Sequence, residues 1–85
     1  MKSFTYTIKD EIGIHARPAG LLAKTAKSFT SDIIIEKNGR AVNATKLMMV
    51  MSLGVRYGET VTVSAVGDDE DEALAAMKNF FENNL

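Results

Sequence analysis

A two-layer α+β domain, with helices packed on one face of a β-sheet, is the fold class this 85-residue sequence predicts. Three observations predict it. Two segments, Ser3–Ile8 and Glu59–Val66, alternate polar and apolar residues among good strand formers. Two longer segments, 16–29 and 70–84, repeat apolar residues at helical spacing. Between them, Asn38-Gly39 separates two short β-prone runs and marks a tight hairpin. The implied order is β-α-β-β-α-β-α over a single domain spanning residues 1–85.

Taken in order, the first strand places Phe4, Tyr6 and Ile8 on one face. Lys9, Asp10 and Glu11 read as a polar turn. In the first helix, Ala19, Leu22, Ala23, Ala26 and Phe29 form the apolar stripe. Asp32–Lys37 is a second strand centred on three consecutive isoleucines, and a type I′ turn returns the chain into Arg40–Asn43. Asn43 or Thr45 is a candidate cap for a short helix reaching about Leu53, which Gly54 can close. After the last strand, Gly67-Asp68-Asp69 forms a turn and cap. Ala73, Leu74, Met77, Phe80 and Phe81 then share one face of the final helix. The element order alone does not separate this arrangement from a split βαβ fold of the ferredoxin-like kind.

Composition narrows the chemistry. A chain of this size buries only roughly 60–65% of its unfolded surface, so a surface site is favoured over a deep cleft. Cysteine is absent, which excludes disulfides, thiol catalysis and cysteine-ligated metal. With one histidine, a histidine-rich zinc site is also disfavoured, and neither metal nor cofactor is expected. The net charge of −1 gives no drive towards nucleic acid or anionic membranes. No run reaches the roughly 18 apolar residues of a membrane span and no signal-peptide pattern is seen, so a cytoplasmic protein is expected. Nine of the ten Lys and Arg residues lie at or before Arg56, whereas five consecutive acidic residues occupy Asp68–Glu72. That acidic run suits the start of a helix.

The candidate chemistry centres on Gly13-Ile14-His15-Ala16-Arg17-Pro18-Ala19-Gly20, which holds the sole histidine. With His15 at the N-cap, Ala16 and Arg17 carry backbone N–H groups that have no helical acceptor. Pro18 has no N–H to leave unsatisfied, and its fixed φ suits a first turn. Free N–H groups and the positive end of the helix attract phosphate, and Arg17 adds a fork of donors. Neutral imidazole is a nucleophile near neutral pH. Phosphoryl transfer needs mainly positioning and charge stabilisation, which so small a constellation can provide. These residues equally allow a plain capping or surface role for His15. Asp10 and Glu11 are accounted for by the turn, and no second acid, base or nucleophile is evident nearby.

Two helices also expose more than a core requires. If Leu22, Ala26 and Phe29 face inward, then Arg17, Gly20, Leu21, Lys24 and Lys27 face out. In the second helix, Leu47-Met48-Met49-Val50-Met51 and Leu53 are too many apolar residues for one buried face. With Val50 and Leu53 turned inward, several of the others are exposed, and methionines make an adaptable contact surface. Ringed by Arg17, Lys24, Lys27 and Lys46, such a patch fits a protein partner with an acidic rim.

At these residues the sequence resembles the histidine-containing phosphocarrier (HPr) family of the bacterial phosphoenolpyruvate-dependent sugar phosphotransferase system (PTS). The segment Gly13-Ile14-His15-Ala16-Arg17-Pro18-Ala19 carries the likeness. Asn38-Gly39, Val42-Asn43 and Met48 through Gly54 extend it over the chain, particularly towards Gram-positive members. The resemblance implies an open-faced sandwich, with an antiparallel sheet of strand order 1-4-2-3 and three helices on one face. It implies phosphorylation of His15 on Nδ1 by Enzyme I, which phosphoenolpyruvate charges, and transfer to the IIA domains of sugar permeases. Arg17 would steady the phosphate beside the Ala16 N–H. Gly20, Leu21, Lys24, Leu47, Met48 and Met51 fall where the family docks its partners, a surface to which Lys27 also belongs by position. Such a protein is a carrier between enzymes rather than an enzyme, and is expected to be a monomer.

One departure stands out. Gram-positive members usually carry a regulatory serine, phosphorylated by an ATP-dependent kinase, at the start of the second helix, where this chain has Lys46. The serine-type switch is therefore expected to be absent, and neither Thr45 nor Ser52 is expected to replace it. Two alternatives remain: a paralogue serving a regulatory or single-sugar branch, and a docking-only regulatory module.

Overall fold

The computed structural model describes residues 2–85. The strands β1 (Lys2–Thr7), β2 (Asp32–Lys37), β3 (Arg40–Asn43) and β4 (Thr60–Val66) form one antiparallel sheet in the order β1-β4-β2-β3. That order settles the topology left open by the element pattern. The helices are α1 (Ala16–Lys27), α2 (Leu47–Ser52) and α3 (Glu70–Asn84). α3 packs against β1, β4 and α1, while α1 also contacts α2.

Strand alternation decides which face is covered. Ile33, Ile35, Val61, Val63 and Ala65 are buried beneath the helices, with Leu22, Ala26, Met77 and Phe81 closing the core from above. Phe81 is the hub of an aromatic cluster. Its ring meets those of Phe4, Tyr6 and Phe80 edge-on, with centroids 6.0, 5.5 and 6.2 Å away. The intervening residues of β1 and β4 point to the uncovered face as cross-strand Ser and Thr pairs. Among them the Thr7 and Thr60 hydroxyls share a hydrogen bond of 2.8 Å.

The β2–β3 turn is of the expected kind. Asn38 and Gly39 both adopt positive φ (52° and 84°), and Lys37 pairs directly with Arg40 across it. α1 is shorter than its apolar pattern, ending at Lys27 with Ser28 as C-cap. Phe29 therefore packs, half-buried, from beyond the helix end.

The capping of α2 differs from expectation. Lys46, not Asn43 or Thr45, is its N-cap, and no side chain caps it. The Asn43 carboxamide oxygen is already engaged, accepting the Thr45 N–H (2.9 Å) and the Thr45 hydroxyl (2.7 Å). This turn consumes both predicted caps just ahead of the N-cap residue Lys46.

Asp69 is the N-cap of α3, yet its side chain reaches elsewhere. It accepts the N–H groups of Thr30 and Ser31, each at 2.9 Å, and the Ser31 hydroxyl. These bonds, the Ser31 hydroxyl first, hold the Asp69 carboxyl down to about 2. The acidic residues Glu70, Asp71 and Glu72 occupy the first turn of α3, where the helix dipole favours them.

Candidate functional site

The loop from β1 to α1 delivers His15, and its course is fixed by backbone contacts. The N–H groups of Lys9 and Asp10 both donate to the Leu85 oxygen, at 2.6 and 2.7 Å. Asp10 then accepts the Ile12 N–H on Oδ1 at 2.9 Å, and its carbonyl takes the Gly13 N–H at 3.1 Å. Gly13 is required here on two counts. Its φ is +85°, and a Cβ would lie 2.4 Å from the Val55 carbonyl oxygen and 2.8 Å from Arg56 Cα. Ile14 is buried and donates its N–H to that same Val55 oxygen at 3.0 Å. The loop is thereby pinned to the α2–β4 connection just before the histidine.

His15 is the N-cap of α1, in extended conformation (φ −101°, ψ −174°). Its carbonyl accepts the Ala19 N–H at 3.0 Å, the first bond of the helix. Its imidazole makes no capping hydrogen bond, so the side chain is not spent on capping. Ala16, Arg17 and Pro18 fill the first turn, and the N–H groups of Ala16 and Arg17 have no acceptor among the described residues. No acidic residue lies in that turn, in contrast to α3. Pro18 is buried, which anchors the turn from below.

A shallow depression of about 160 Å³ opens at this point, lined by Asp10, His15, Arg17, Pro18, Leu21 and Asn84. It brings together three of the predicted site residues: His15, Arg17 and Leu21. It also corrects the expectation that no acid stands near the histidine, because Asp10 lines the same depression. Asp10 serves both purposes, closing the turn through its carbonyl and lining the depression. Asn84 was missed. It arrives from the far end of α3, held by its own bond to the Phe80 carbonyl at 3.0 Å, and no local pattern links it to residue 15.

The second group of predicted residues lies on the same helical layer. Arg17, Leu21, Lys24 and Lys27 are exposed along α1, and Gly20 is half-exposed. A Cβ at Gly20 would meet nothing within 4 Å. On α2, Met48 is 75% exposed and Leu47, Met49 and Met51 are also exposed, whereas Val50 and Leu53 are buried. Lys46 is exposed at the N-cap. The apolar surplus of α2 therefore faces solvent, as its residue count requires.

α2 is too short to hold itself in place, and its C-terminal end is clamped from the hairpin. Lys37 Nζ donates to the carbonyls of Gly54 (2.9 Å) and Leu53 (3.3 Å) and pairs with Glu59 at 2.9 Å. Arg40 donates to the Ser52 carbonyl at 3.1 Å and the Ser52 hydroxyl at 2.9 Å. Sequence reading gave neither side chain this role. Glu59 also accepts the Arg56 N–H at 2.7 Å, and the Lys37 ion pair with that bond lowers its pKa. No group of three or more His, Cys, Asp or Glu among the described residues is placed to hold a metal ion. None of the described helices is long and apolar enough to cross a membrane.

Residues 2–83 match the family model "PTS HPr component phosphorylation site". The chain is 45% identical over 85 residues to the phosphocarrier protein HPr of Mycoplasma genitalium, covering 99% of this chain and 97% of that one. Its fold is similar to a crystal structure of HPr from Thermoanaerobacter tengcongensis, with a TM-score of 0.93 at 48% identity over 98% of this chain and 93% of that one. It is also similar to Crh of Bacillus subtilis, a catabolite repression protein whose crystal structure is described as a swapped dimer. There the TM-score is 0.79 at 40% identity, over 94% of this chain and 92% of that one.

Proposed function

The chain belongs to the HPr family of phosphocarriers of the phosphotransferase system, and we propose on that premise that His15 accepts a phosphoryl group from Enzyme I and passes it to IIA domains of sugar permeases. The observation that carries this reading is the His15 ring at the mouth of α1, not used in capping and in one depression with Arg17, beside the Ala16 and Arg17 N–H groups that have no acceptor among the described residues.

In the proposed step, the His15 Nδ1 lone pair attacks the phosphorus of the donor's phosphohistidine. The donor P–N bond breaks and its electron pair returns to the donor imidazole. The reverse sequence of bond changes hands the group to the acceptor. Arg17 and the two N–H groups hold the phosphoryl oxygens, and the helix dipole adds to that attraction. Leu21, Leu47, Met48 and Met51, with Gly20 allowing close approach, supply the docking contacts. Lys24, Lys27 and Lys46 supply a cationic rim for an acidic partner. The protein acts as a carrier, not a catalyst, and works as a single cytoplasmic domain and a monomer.

The test is incubation with Enzyme I and phosphoenolpyruvate, followed by assay for an acid-labile, base-stable phosphate. Stoichiometric label lost in His15→Ala supports the reading. Absence of label, or label that survives that substitution, overturns it.

Lys46 favours a second reading, in which the chain is a paralogue for a regulatory or single-sugar branch. A lysine at the α2 N-cap offers no hydroxyl to a serine kinase and places a cation where phosphorylation would place an anion. We propose that the serine switch is absent. Stoichiometric phosphate on Thr45 or Ser52 after treatment with the ATP-dependent kinase would refute this. A docking-only role is disfavoured by His15 and Arg17 standing in one depression, which docking does not need.

A further inference from the structure

Asp10 is the one carboxylate lining the depression that holds His15 and Arg17. Its main chain is fixed on both sides, by its N–H to the Leu85 oxygen and by its carbonyl to the Gly13 N–H. Oδ1 is tied to the Ile12 N–H, and Oδ2 takes part in no hydrogen bond or ion pair among the described residues. Half-buried and in no ion pair with a described residue, the carboxylate stands on the rim of the depression.

We infer that Asp10 sets the phosphoryl-transfer potential of His15, its carboxylate repelling the anionic phosphoryl group held there and making the P–N bond easier to break. The inference rests on the reading that His15 is phosphorylated. Arg17 and the α1 N–H groups attract the phosphoryl oxygens, and a site with attraction alone would hold its cargo too firmly to pass it on. A fixed negative charge on the same depression opposes them, and the repulsion is relieved as the group leaves. When water is the acceptor, its oxygen bonds to phosphorus. The P–N bond breaks, its electron pair returns to Nδ1, and inorganic phosphate departs.

The experiment separates charge from structure, because asparagine at position 10 keeps an oxygen that can accept the Ile12 N–H. His15 is loaded with phosphoramidate, whose own P–N bond breaks as the new one forms, ammonia leaving with the proton. Loss of phosphate is then followed by phosphorus NMR in the wild type, Asp10→Asn and Asp10→Ala. The expected result is slower loss in Asp10→Asn by about three- to tenfold, the scale of one screened unit charge, with a smaller gap at high salt. The equilibrium constant for transfer from a phosphohistidyl donor should rise as well, which increases the phosphorylated fraction. Equal rates in wild type and Asp10→Asn overturn the inference, and so does a change confined to Asp10→Ala, which would mark a purely structural role. Failure of Enzyme I to label His15 would overturn the carrier reading alone, since the chemically loaded protein still reports on Asp10.

Discussion

Lys37 Nζ lies 2.9 Å from the Gly54 carbonyl oxygen and 2.9 Å from Glu59 Oε1, joining the last residue of β2 to the end of α2 and to the approach to β4. With Arg40 it satisfies the carbonyls of Ser52, Leu53 and Gly54, which a six-residue helix cannot satisfy internally. Cations at a helix C-terminus are also favoured by its dipole. Lys37→Met should lower stability by about 1.5–3 kcal/mol, the range for charged hydrogen bonds. Hydrogen exchange should show α2 and residues 54–59 opening first. Lys37→Arg should restore most of the loss. Unchanged exchange in α2 would show that the clamp is not what holds this helix.

The exposed and buried sides of α2 should respond oppositely to substitution. Met48→Glu and Met51→Glu should leave stability within about 0.5 kcal/mol, because both side chains are exposed. Each should nevertheless weaken association with an acidic partner, measured by calorimetry. Val50→Ala, one residue away and fully buried, should cost on the order of 2 kcal/mol. A large drop in Tm for either methionine variant would place that methionine in the core.

Two glycines of the His15 segment should diverge in the same manner. Gly13→Ala forces a methyl group towards the Val55 carbonyl at positive φ, and should destabilise by more than about 1 kcal/mol. It should also displace the His15 loop and slow phosphorylation. Gly20→Ala, in open space on α1, should stabilise by about 0.5–1 kcal/mol on helix propensity. Any loss of partner affinity in that variant would then arise from the added methyl at the contact, since the helix itself would be firmer.

The bond between Asp69 and Ser31 gives an acid-sensitive anchor between α3 and the segment that follows α1. The Asp69 carboxyl is held down to about 2, below its ordinary value near 3.9. A depressed folded value stabilises the protein where the unfolded group is already ionised, hence above about pH 4, and that stabilisation fades as pH falls towards the folded value. Asp69→Asn should lower Tm at neutral pH and flatten the fall of Tm between about pH 4 and 2. A parallel acid limb in wild type and variant would rule this out.

Much of the architecture was legible in the chain because each element obeys its local rule. β4 alternates cleanly, Asn38-Gly39 permits one tight turn, and the α2 surplus of methionine and leucine cannot all be buried. Strand order was different, since alternation gives a strand's faces and not its neighbours; the resemblance supplied it and the structure shows it. Local rules also misplaced the cap of α2, because the Asn43 carboxamide closes a turn on Thr45 before the helix starts. In the candidate site, spacing put His15 and Arg17 at the mouth of α1 and left a plain capping or surface role open; the resemblance supplied their part in phosphoryl transfer. Asp10 was seen only as a turn former, and Asn84 is brought to the depression by the fold of the other end of the chain. Lys37 and Arg40 were invisible because most of their acceptors are main-chain carbonyls, which carry no sequence signature, and because the fold brings Ser52, Gly54 and Glu59 to them.

The apolar residues exposed on α1 and α2 occupy a single helical layer, while the opposite face of the sheet presents serine and threonine hydroxyls. On the proposed reading, donor and acceptor must then claim the same ground and cannot be seated together. Traffic through such a protein is strictly serial. Its throughput is capped by how quickly each visitor vacates, so overly tight association with either one throttles the relay. Abundance of the carrier, more than affinity, becomes the lever by which flux is raised.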